Sequence, residues 1–156
     1  MVLHTLVNCS IYGLFLFKIA CGWPSESNLS SKSEHVQRLE RIELVFPGGV
    51  FPVELADEPH EMALGFRFRS KIQDQDAMIF LLKKHKIQSL SMEGISESLS
   101  YVLLKESGEV LEMDVAHPET NRIINKEAAY LIEFSTKANK EFKIRKDSVI
   151  FGLPKI

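Results

Sequence analysis

From Leu39 onward the chain is a succession of short β-rich runs separated by closely spaced turn signals, and this pattern narrows the fold more than any other feature. Ile42-Glu43-Leu44-Val45-Phe46 reads as a strand, Pro47-Gly48-Gly49 as a turn, and residues 50–56 as the returning strand of a hairpin. Pro52 cannot donate to a ladder, so it must face an edge or sit at a bulge. Asp57-Glu58-Pro59 opens a short helix, with Asp57 as its cap, Met62 and Phe66 on one face and Gly65 as a left-handed stop. Further strands are expected over 77–82, 87–92, 99–105, 109–115 and 129–134, with turns at 83–86 and 106–108. A helical turn is expected over 136–141, and residues 149–152 close the pattern. Many short strands with one or two short helices predict an α+β domain, a mostly antiparallel sheet curled into a barrel or sandwich.

That domain has to be stabilised by burial. Both cysteines, Cys9 and Cys21, precede it, so it has no disulfide framework, thiolate nucleophile or cysteine-ligated metal. A hydrophobic share of 45% in 156 residues is enough for one self-sufficient core. The 21 acidic residues slightly outnumber the 19 basic ones. Nucleic-acid binders carry a clear basic excess, so no nucleic-acid partner is expected.

The N-terminal part reads as an address. Residues 2–17 are mostly apolar, densest at Leu14-Phe15-Leu16-Phe17, but too short and interrupted for a membrane-spanning helix. They suit the apolar region of a signal peptide. The run ends Ile19-Ala20-Cys21-Gly22, which resembles a bacterial lipoprotein signal and makes Cys21 the expected lipidation site. Lys18 and the lack of Lys or Arg near the start depart from that signal. Residues 22–38 are polar and serine-rich, a flexible tether that would reach roughly 20–25 Å by random-coil scaling. The expected organisation is a signal over 1–21, a tether over 22–38 and one domain over 39–156.

Several residues of the domain fall in the order of a known family. Val53-Glu54-Leu55-Ala56-Asp57, Pro59, Ala63, Gly65 and Phe68-Arg69 are followed by Met78-Ile79-Phe80, Met92 and Leu99. Gly108, Val110, Tyr130-Leu131-Ile132-Glu133 and Asp147 complete the set. On these residues the chain from about Phe51 to Phe151 resembles the bacterial and archaeal family called domain of unknown function 192. The resemblance implies a mostly antiparallel α+β fold and, often, export or membrane anchoring; it implies no activity. The family's distinctive segment reads Phe-Trp-Met-Lys-Asn-Thr, followed shortly by Leu-Asp, and its polar residues are the family's candidates for a site. Here the segment is Leu90-Ser91-Met92-Glu93-Gly94-Ile95, then Leu99-Ser100, so those polar candidates are lost. Arg67 stands where the family tends to have Met, Ala77 where it has Gly, and Lys146 replaces the glycine before Asp147.

Few residues suggest chemistry. Asp114, His117 and Glu119 form the densest group of possible ligands, suited to a metal or an acid/base pair. No second His or Cys lies within motif distance, and Pro118 points to a solvated strand end, so no metal or cofactor is assigned. Arg67 and Arg69, two apart in an extended segment, would share a side and could clamp a carboxylate or phosphate, although a structural pairing with Asp74 or Asp76 is the favoured reading. Phe66 and Phe68 would then face the core. His60 and Glu61 sit in the first turn of the helix, where Glu61 suits the helix dipole. Lys83-Lys84-His85-Lys86 is a solvated hairpin tip, or a contact for anionic lipid or a cell-wall polyanion on a tethered domain. Ser91, Ser100 and Ser135 lack a nucleophile-elbow context, and there is no phosphate loop.

The expectation is a monomeric, non-catalytic binding or accessory module of the cell envelope, membrane-anchored or periplasmic, or else secreted. Its partners would be the membrane, through an N-terminal lipid or anchor, and an envelope protein or glycan. The alternative is a hydrolase or lyase acting on an envelope glycan or peptide, using Asp114, His117 or Glu119 with Arg69, which requires those groups to converge in one pocket.

Overall fold

A computed structural model describes residues 36–124 and 127–156. The signal over 1–21 with Cys21, and the tether up to residue 35, lie outside the described residues.

The first strands, β1 (Arg41–Phe46) and β2 (Gly49–Ala56), form the expected antiparallel hairpin, Val45 opposite Val50. Pro52 faces Glu43 on β1, while β2 meets its other neighbour only over Glu54–Ala56. The proline therefore lies on a locally free edge, where its missing N–H is not needed. Helix α1 (Pro59–Leu64) follows. Asp57 is not its cap: Glu58 holds that position, and the Glu61 carboxylate accepts the N–H groups of Asp57 and Glu58 at 3.2 and 3.1 Å. A carboxylate reaching back from the first turn satisfies two donors that a helix start leaves free.

The remaining elements are β3 (Ala77–Phe80), α2 (Leu82–His85), β4 (Ser89–Ser91), β5 (Leu99–Leu104), β6 (Val110–Ala116), β7 (Asn121–Ile123), β8 (Tyr130–Ser135) and α3 (Asn139–Phe142). Six strands make one sheet in the order β1-β2-β3-β8-β5-β6, and β4 pairs with β7 separately. The sheet is mostly antiparallel, as expected, with β2 and β3 as its one parallel pairing among the described residues. The expected barrel needs correction: the sheet is open, since β1 and β6 do not pair with each other. The residues 83–86 are not a hairpin tip but belong largely to α2, with Lys86 left-handed at its end.

Strands β3, β8 and β5 are buried along their whole length, because both faces of the sheet are covered. On one face Leu44, Phe46, Val53, Ile79, Val102, Ile132 and Phe134 pack with Phe142 of α3 and with Ile144 and Ile150. Phe142 stacks on Phe46 at 4.5 Å and tilts against Phe134 at 5.2 Å, geometries that aromatic quadrupoles favour. On the other face Met78, Phe80, Tyr101, Leu103 and Leu131 pack with Phe66, Ile72, Leu90, Met92 and Ile95.

Residues 148–151 tie the two sheet edges at one end. Val45 and Phe151 exchange backbone bonds at 2.9 and 3.1 Å, and Val110 and Ile150 bond to Ser148 and Gly108 at 3.1 and 2.9 Å. A Cβ on Gly108, which has φ +88°, would lie 2.1 Å from the Ile150 carbonyl oxygen, so this approach requires glycine.

Candidate functional site

Along β8 successive side chains alternate between the two faces, so Leu131, Glu133 and Ser135 point together to the second one. Such a central strand should be apolar throughout. Glu133 breaks that rule. It is only 3% exposed, between Met78 of β3 and Tyr101 of β5, both buried. Among the described residues it has no hydrogen-bond or ion-pair partner. Burial alone pushes its carboxyl from 4.5 up to about 8, so near neutral pH it is mainly protonated.

Glu133 is not sealed in the core: it lines a cleft of about 420 Å³. Met62 and Leu64 of α1, Phe80, Leu82, Ile87 and Leu131 give the cleft apolar walls. Gly65 ends α1 at φ +49°, and a Cβ there would touch only the Phe80 ring, at 3.5 Å. Arg67 stands on the lining, its Nη2 donating to Ser91 Oγ at 3.4 Å and lying 3.6 Å from the exposed Glu93 carboxylate. His85 of α2 also lines the cleft, and its Nε2–H donates to the Asp57 carbonyl at 2.7 Å. A largely apolar cleft of this size with a few convergent polar groups is the usual form of a small-molecule site.

The other sequence candidates disperse. Phe68 takes φ +63°, which breaks the extended alternation expected of this segment and sends Arg67 and Arg69 to different partners. It also leaves Phe68 exposed, whereas Phe66 is core as expected. Arg69 is a structural residue. Its guanidinium holds Glu54 bidentately at 2.6 and 3.0 Å, donates to the Gln37 carbonyl at 3.2 Å, and lies 4.7 Å above the Phe66 ring. Burial raises the Glu54 carboxyl, but the Arg69 hydrogen bonds and charge outweigh it and hold the group below the usual range. Asp76 is only a distant partner of Arg69 at 3.9 Å, and Asp74 pairs with Lys137 instead.

Asp114, on the edge strand β6, is bound by Arg122 at 2.8 Å. The N–H of Val115 and the Arg122 guanidinium hold its carboxyl below the usual range. His117 Nδ1 lies 3.0 Å from Ser98 Oγ, and Glu119 is solvated. Arg69 works against β2, and β3, β8 and β5 separate β2 from β6. At about 4.8 Å per strand those two strands are about 19 Å apart. The structure therefore does not bring Arg69 to Asp114, His117 and Glu119. Among the described residues no three His, Cys, Asp or Glu side chains are grouped as metal ligands would be.

Four positions where the chain departs from the family's sequence gather at the cleft: Arg67, Ser91 and Ile95 line it, and Glu93 meets Arg67. Ser100 does not: it is buried toward the opposite face, its Oγ accepting from Asn139 Nδ2 at 2.8 Å. The residue that the sequence reading missed is Glu133. Its signal was present, a carboxylate inside the apolar run Tyr130-Leu131-Ile132-Glu133-Phe134.

The model of the family described as uncharacterized ACR, domain of unknown function 192, matches residues 44–151. Comparison with curated proteins finds no match. Two crystal structures are similar. One is a protein of unknown function from Novosphingobium aromaticivorans, 21% identical, with a TM-score of 0.63 over 74% of this chain and 88% of that one. The other, from Sinorhizobium meliloti and described provisionally as a transcription regulator, is 20% identical, with a TM-score of 0.59 over 76% of this chain and 96% of that one. At these identities the likeness is one of fold.

Proposed function

This chain belongs to the domain of unknown function 192 family, and on that premise we propose that it is a non-catalytic binding module whose ligand, a small molecule with an apolar body, occupies the cleft over Glu133. The observation that carries this reading is the buried carboxyl itself. A polar group without a partner in an apolar interior is destabilising, and one that faces a cleft can be satisfied by a bound molecule. The groups a hydrolase or lyase would draw on, Arg69 with Asp114, His117 and Glu119, lie apart, which favours binding over catalysis. We place the module at the cell envelope because residues 1–38 read as a lipoprotein-like signal and tether.

The test uses the uncharged, environment-sensitive dye Nile red. It should bind saturably to one site, and Ala63→Trp, an exchange at an exposed position of α1 beside the cleft, should abolish binding while leaving the circular dichroism spectrum unchanged. Equal binding by the folded variant, or no saturable binding at all, would refute the cleft as the ligand site.

A further inference from the structure

The cleft has two polar poles of different character, and their separation narrows the ligand. At one pole Arg67 is already engaged by Glu93 and Ser91, so its charge is partly answered by the protein. At the other, Glu133 is answered by nothing among the described residues. Burial is the cause of its displaced titration, and among the described residues no cation pairs with it, Arg67 being engaged by Ser91 and Glu93.

The titratable and charged groups around Glu133 are few. The loop after α1 contributes Arg67, and α2 contributes His85 with its Nε2 held by Asp57. Its β5 neighbour is Tyr101, whose hydroxyl donates to Glu112 at 2.8 Å, and β2 contributes Glu54 across Met78, locked to Arg69. Among the described residues the lining from α1 and β4 is uncharged, Met62, Ala63, Leu64, Ser89 and Ser91 among it.

Three kinds of head group could reach this carboxyl. An anion would be desolvated deep in an apolar cleft with only a carboxylic acid beside it, which is costly for an ionised group. A neutral hydroxyl would gain one hydrogen bond of modest net value. An ammonium would turn Glu133 into its counter-ion, giving a buried pair with no net charge and a hydrogen bond to a charged group, the strongest class. Resting on the cleft being the ligand site, we infer that the ligand is a hydrophobic amine, its ammonium paired with Glu133 and its apolar body along Met62, Leu82 and Leu131.

The inference makes affinity depend on pH in a defined direction. An alkylammonium, like a lysine side chain, stays protonated below about pH 10, so the bound pair requires only that Glu133 release its proton. With the free carboxyl titrating near 8, affinity should rise about ninefold from about pH 6 to about pH 7 and less than about twofold from about pH 8 to about pH 9.

The experiment displaces Nile red from the wild-type domain with three probes of equal chain length: octylamine, octanol and octanoate. Octylamine should be the strongest competitor at about pH 8, with the pH profile just given, and Glu133→Gln should lose both its preference and its pH dependence. Stronger competition by octanoate or octanol, or an octylamine affinity that ignores pH or survives Glu133→Gln, would overturn the amine inference while leaving the cleft as a site. Failure of Nile red itself to bind would remove the cleft reading beneath it.

Discussion

Replacing Glu133 by Gln should stabilise the protein, and by an amount that grows with pH. The unfolded chain releases this proton near 4.5, whereas the folded protein holds it to about 8. Below 4.5 both states are protonated, and the group exerts no pH-dependent penalty. Between the two values the folded state binds one proton more than the unfolded state, so stability falls as pH rises; above about 8 the loss is complete and constant. At about 1.4 kcal/mol per pH unit, the full loss is on the order of 4–5 kcal/mol. Gln has nearly the same shape, leaves a comparable unpaired polar group and cannot ionise. The difference between the two proteins therefore isolates the ionisation and cancels groups of opposite sign, such as Glu54. Urea midpoints converted to free energies, measured from about pH 5 to about pH 8.5, should show Glu133→Gln little different at the acid end and more stable by about 3–5 kcal/mol at the alkaline end. Parallel curves over that range would refute the claim that Glu133 is buried unpaired, and a wild type that gains on the variant with rising pH would show that a cation reaches it.

Other perturbations test the surrounding framework. Arg69→Met strands the buried Glu54 carboxylate and should destabilise the fold by about 3–5 kcal/mol in urea unfolding, with much of that recovered when Glu54→Leu is added. Gly108→Ala drives a Cβ into the Ile150 carbonyl from a left-handed backbone and should lower stability by about 2 kcal/mol or more, with faster hydrogen exchange first at Val45 and Ile150. The double exchange Asp114→Ala and His117→Ala should leave Nile red binding unchanged, since neither residue lines the cleft. An intact mass of the membrane fraction from native cells should begin at Cys21 and carry acyl chains; a soluble chain that retains Met1 would refute the envelope proposal.

The strands that make the core could be read from sequence because each is a mostly apolar run, as in 99–104, which stops at Lys105, and in 130–135, where Glu133 is the one charged residue. Strand β7 could not, because Asn121, Arg122 and Ile123 are all exposed and no burial pattern marks them. The parallel pairing of β2 with β3 was hidden for a related reason. A crossover is normally betrayed by a long amphipathic helix, and here residues 57–76 contain only the six residues of α1. The positions of Arg67 and Arg69 depended on one backbone angle, at Phe68, that no periodicity encodes. Glu133 was visible in the sequence, but its meaning required knowing that β8 is covered on both faces and that one cover leaves a cleft.

The tie between residues 148–151 and the sheet edges also orders events in time. Among the described residues every strand precedes this segment, so a growing chain can assemble β1 through β8 before the bridges at Val45 and Gly108 exist. Until Phe151 has been made, the backbone groups of Val45 and Gly108 lack these partners, and both sheet edges stay open to pairing with other strands. Closure of both edges therefore has to wait for residues 148–151, whatever the order in which the strands before them assemble.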